Sequence, residues 1–80
     1  MALSVVNSGT NPVGPSASFF IGASGPVWFM VFDMSGRVVH SSWAQPGNVT
    51  LDCEALASGV YMVRVESEGS TAGTRFVRLR

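Results

Sequence analysis

The chain has 80 residues, enough for one small domain, and is 46% hydrophobic but only 12% charged. Five arginines, with no lysine, balance Asp33, Asp52, Glu54, Glu66 and Glu68 for a formal net charge of zero. That excludes the broad basic footprint of a nucleic-acid binder and the charge-rich, apolar-poor make-up of a disordered chain, and no apolar run is long enough to span a membrane as a helix.

The opening residues, MALSVVNSGTNPVG, lack a basic n-region and a long apolar h-region, so they do not form a signal peptide. The expectation is an excised domain, with Met1 added for expression and any export signal upstream. Residues 1–10 read as a linker or a first edge strand, and 11–80 as a single domain.

No window carries a helical apolar stripe. Short runs of β-branched and aromatic residues instead recur every 8–12 positions between Gly, Pro, Ser and Asn clusters. Residues 3–6 form a weak strand, broken by NSGTNPVGPS. Residues 18–21 follow and end at GASGP. Val27–Phe32 is the strongest strand, and FDMSGR turns it into a return strand over 38–42. In that turn Asp33 can accept from downstream amides as an Asx turn, and Gly36 can take the left-handed conformation. AQPG then separates residues 49–52, and 54–58 cross over as one helical turn. Val60 to Glu66 alternates, with Tyr61, Val63 and Val65 on a buried face and Val60, Met62, Arg64 and Glu66 on the other. SEGSTAG is read as the last loop, before a closing strand over 74–79. Seven short strands at this spacing predict an all-β fold, a seven-stranded immunoglobulin-like antiparallel β-sandwich. Tyr61, just after Gly59, fits a tyrosine corner, with its ring in the core and its hydroxyl on the crossover backbone; Leu56 plugs the base of the core.

Little in the chain suggests catalysis. His40 and Cys53 are the sole histidine and cysteine. Together they supply two ligands where a zinc site needs three or four. Cys53 reads as a small buried residue without a disulfide partner. The serines match no nucleophile-elbow pattern, and the glycines match no phosphate-binding loop. The expectation is a non-enzyme with no cofactor and no metal. Two surface features remain. Val27–Phe32 is apolar on both faces, so Trp28, Met30 and Phe32 form an interaction patch unless the N-terminal segment or Trp43 covers them. The ending TRFVRLR sets Arg75, Arg78 and Arg80 within six residues, either as charges guarding an edge strand or as a recognition tag.

The order NPV, FFI, VWFMVFDMSGRVV, LDCEALASGVYMVRVE and TRFVRLR resembles the type A C-terminal sorting domain of the type IX secretion system, a relative of immunoglobulin-like hook-capping modules. The resemblance rests on Asn11 and Pro12, Phe32 and Asp33, Gly36 and Arg37, Leu56, Gly59, Tyr61 and the basic end. It implies a non-catalytic address on an upstream passenger. Such an address is read by the outer-membrane translocon and removed by a sortase, after periplasmic transit to the cell surface or beyond. It also implies that Arg75, Phe76, Val77, Arg78, Leu79 and Arg80 form the recognised strand. Two departures stand out: arginine replaces the family's common lysine in that strand, and Trp28 and Met30 stand where polar residues are usual. The alternative is an extracellular immunoglobulin- or fibronectin-III-like adhesive or carbohydrate-binding module.

Overall fold

The computed structural model describes residues 3–80; Met1 lies outside them. It contains seven strands: β1 (Ser4–Asn7), β2 (Ser16–Gly22), β3 (Val27–Phe32), β4 (Val38–Ala44), β5 (Gly47–Asp52), β6 (Gly59–Ser67) and β7 (Ser70–Arg78). They form two antiparallel sheets, β1-β2-β5 and β4-β3-β6-β7. The expected all-β sandwich is the observed fold, and β3 has the expected bounds.

The layout follows from the turns. The short loop after Phe32 leaves β4 no option but to pair with β3, so β4 becomes an edge strand of the larger sheet. Gln45 and Pro46 then carry the chain to the other sheet, where β5 pairs with β2. Pro46 cannot donate to a ladder, which stops β4 from running on.

Two expectations over the loops are corrected. Residues 67–73 are not a loop. Glu68 and Gly69 both have positive φ, 50° and 81°, and form a two-residue hairpin turn whose twist matches its strands. Ser67 therefore pairs with Ser70, and β7 starts four residues earlier than expected. Thr71, Ala72 and Gly73 are weak strand formers alone, but the long β6 edge recruits them. Residues 54–58 are not helical; the Leu56 amide donates to the Cys53 carbonyl at 3.0 Å, a single turn.

The core lies between the sheets. β3 contributes Val27, Phe29 and Val31, and β6 contributes Tyr61, Val63 and Val65; Ala17, Phe19, Ile21 and Leu51 face them from the smaller sheet. Val13 and Cys53 fill one end from loops. Phe19 is the aromatic hub, with its ring centroid 5.9 Å from Phe29 and 5.6 Å from Phe76, both tilted.

Phe19→Ala should cost about 3–5 kcal/mol, a large share of the ~5–15 kcal/mol typical of a whole domain. Urea unfolding monitored by circular dichroism should show the midpoint collapse. A shift within experimental error would mean that the hub is misplaced.

Candidate functional site

Three devices hold the motif residues in place, two of them at the terminal strand. The first is the corner before β6. The Tyr61 hydroxyl donates to the Ala57 carbonyl at 2.7 Å, and its ring stacks on Phe76 with centroids 5.4 Å apart. Leu56 packs partly buried against the core beside it. Tyr61 thus joins the crossover to β7, the arrangement its position after Gly59 suggests.

The second is the β3–β4 turn. Asp33 Oδ1 accepts from the Ser35 hydroxyl at 2.7 Å and from the Ser35 and Arg37 amides, each at 3.0 Å. Gly36 supplies the required positive φ, 85°. The Ser35 hydroxyl, followed by the Arg37 amide, holds the Asp33 carboxyl below its ordinary pKa. Arg37 Nε also sits 3.2 Å from Asp33 Oδ2, but its side chain is largely exposed and the ion pair is correspondingly weak.

The third is a strap across β7. Asn11 Oδ1 accepts from the Val77 amide at 2.9 Å. The Val13 amide donates to the Val77 carbonyl at 2.7 Å, and the Leu79 amide to the Val13 carbonyl at 3.1 Å. Asn11 and Val13 therefore occupy hydrogen-bonding positions that an edge strand would otherwise leave open. The Arg80 amide donates to Ser58 Oγ at 2.9 Å, which ties the chain to the crossover as well.

Within the strand, alternation divides the six residues of the basic end. Phe76 and Arg78 face inward; Arg75 and Val77 face out, and Leu79 and Arg80 are exposed. Arg78 is thus not a solvent-facing charge. Only 6% exposed, it donates from Nε to the Cys53 carbonyl at 2.9 Å and from Nη1 to the Leu79 carbonyl at 3.0 Å. Charge-assisted bonds of this kind make up for lost hydration where a bare cation would not be tolerated.

The outer face of the larger sheet carries Trp28, Met30 and Phe32 together, as the β3 pattern requires. The N-terminal segment does not cover them, because β1 joins the other sheet. Trp43 does pack on Trp28, edge-on, with centroids 5.3 Å apart. Met30 is only 8% exposed, and the Arg64 guanidinium lies over the Phe32 ring at 5.0 Å. The patch is therefore broken up rather than continuous, and its open part is Trp43 with half-buried Trp28. Trp43 is thus the cover that the sequence offered as an alternative to the N-terminal segment; it lies in β4, which runs two residues past the expected end at 42 and sets Trp43 opposite Trp28.

The remaining reactive side chains lie apart. His40 is exposed, with Nε2 3.1 Å from Ser42 Oγ. Cys53 is fully buried, with Sγ 3.6 Å from the Leu51 carbonyl. Burial pushes its thiol pKa up, with Arg78 partly offsetting this, so it is a poor nucleophile. Among the described residues no three His, Cys, Asp or Glu side chains are grouped to hold a metal ion, and no helix is long and apolar enough to cross a membrane.

Comparison with known proteins gives a family and a structural likeness. The family model described as "Secretion system C-terminal sorting domain" matches residues 11–78. The structure is similar to part of PorZ, an essential bacterial surface component of the type-IX secretion system of human oral-microbiomic Porphyromonas gingivalis. The TM-score is 0.76 at 21% identity, over 98% of this chain and 11% of that one. The chain thus spans about a ninth of that protein's length. No curated protein matches the chain.

Two outcomes test this geometry. Tyr61→Phe should lose about 1 kcal/mol, the net worth of one hydrogen bond, with the stacked ring kept; chemical denaturation measures it. For Asp33 the folded pKa is depressed, so its stabilisation is fully present above the unfolded pKa and is lost as pH falls through the folded value. Asp33→Asn should therefore flatten the acid side of a Tm-against-pH profile while lowering Tm at neutral pH. Parallel profiles for the two proteins would refute the turn network.

Proposed function

The chain belongs to the secretion-system C-terminal sorting domain family, and we propose that it acts as the address of a type IX secretion system. In this role it carries out no reaction. It rides on a passenger, crosses the periplasm with it, and is recognised by the outer-membrane translocon and a sortase. The passenger then reaches the cell surface or the surrounding medium. The observation that carries this reading is the family match over residues 11–78, which includes the corner, the turn, Asn11 and Val13 of the strap, and all of β7.

Alternation along β7 suggests how the address is displayed. Arg75, Val77, Leu79 and Arg80 are available to a partner, whereas Phe76 and Arg78 hold the strand in place. The readable surface is then two cations flanking two apolar side chains. An anionic or carbonyl-rich groove on the machinery would complement it. In Arg75 and Arg80 the guanidinium's forked donors favour planar acceptors such as carboxylates.

Fused to the C-terminus of a reporter in a type IX-competent host, the chain should deliver the reporter to the surface. Arg75→Glu with Arg80→Glu should cut delivery about tenfold or more, equivalent to roughly 1.4 kcal/mol of lost recognition, with the Tm little changed. A folded, unmutated fusion retained in the periplasm would overturn the proposal.

A further inference from the structure

An open groove of about 640 Å³ lies at the hairpin end of the larger sheet, away from Arg75. Trp28 and Trp43 form one wall; Glu66, Glu68, Ser70 and Thr71 form the other. We infer that this groove binds a neutral saccharide. The inference does not rest on the sorting role.

The tryptophans argue first. Trp43 is 70% exposed although it sits in a regular strand. Its ring and that of Trp28 meet at 66°, edge to face, so neither lies flat over the other and indole surface stays open to the groove. An open indole face suits a ligand with a flat apolar C–H side, and a Trp on a sheet is held rigidly enough to serve as a platform. The volume falls within the ~300–1,000 Å³ common for small-ligand sites, and the mixture of aromatic wall and a few convergent polar groups is their usual composition.

The polar wall selects the ligand class. Two carboxylates and no cation line the groove, so phosphorylated, sulfated or nucleic-acid ligands are repelled. A cation would be drawn to the indoles and carboxylates, but Glu66 is already engaged: Arg64 Nε lies 3.3 Å from its Oε2. Among the described residues that leaves Glu68 as the one carboxylate in the groove without an ion pair. A purely apolar ligand would leave the rim of hydroxyls and carboxylates facing it without partners. A neutral sugar meets both walls, with ring C–H groups on the indoles and hydroxyl donors on acceptor-only carboxylates and the Ser70 and Thr71 oxygens.

The chain's two tryptophans are both in this groove, so their fluorescence reads the site directly. The 80-residue chain should be titrated with maltotriose, cellotriose and N-acetylchitotriose, and separately with triarginine. At least one trisaccharide should shift the emission saturably in the millimolar range. Trp43→Ala, which removes an exposed ring and leaves Trp28 as reporter, should weaken that binding about tenfold. Glu68→Gln should weaken it by a few-fold only, because the amide oxygen still accepts. Circular dichroism confirms that both variants fold. A flat response to all three sugars overturns the inference. So does a saturable response to triarginine alone that Glu68→Gln abolishes, which would mark a cation site instead.

Discussion

The structure depends on the placement of Phe76. Its ring stacks on Tyr61 from one side and tilts against Phe19 from the other, so one side chain joins the last strand, the corner and the opposite sheet. Aromatic contacts of this kind contribute beyond the area they bury. Around it the remaining devices are polar: Tyr61 to the crossover, Arg78 to the Cys53 carbonyl, and the strap to the Val77 and Leu79 backbone. The last strand is therefore an integral part of the core, with one row of side chains given to cohesion and the alternate row left for contact.

That division bears on how the strand would be read in the proposed role. A flexible basic tail would offer its charges in many arrangements and lose entropy on binding. Here Arg75 and Val77 project from a strand paired along its length with β6, at the fixed spacing of the pleat. The arginines are not equivalent, however similar they look in the sequence. Arg75 and Arg80 are free at the surface, Arg37 braces a turn, Arg64 spans Phe32 and Glu66, and Arg78 is an interior group.

How far these arrangements could be read from the sequence varied with how local their causes are. The bounds of β3, the Asx turn at Asp33 and the inward Tyr61 followed from short patterns whose physics lies within a few residues. Arg78 was misjudged because its charge outweighed its position; the same alternation that buries Phe76 also turns residue 78 inward. The Glu68–Gly69 turn was hidden because Glu rarely takes positive φ, and only pairing with β6 forces it to. The groove that sets Trp43 and Trp28 against Glu66 depends on register across three strands, and no single stretch of chain encodes it. Asn11 stood out as a motif residue, but its bond to Val77 spans 66 positions and became visible only in the fold.

The strap has a consequence for biosynthesis. It links residues 11–13 to residues 77–79, so contacts made near the start of the chain await partners translated near its end. A ribosome releases the chain from the N-terminus onward, and domains fold as whole units. The sandwich therefore cannot close while β7 is still unmade. Removing residues 77–79 would leave Asn11 and Val13 without partners, so both ends of the domain must be present before either is secured.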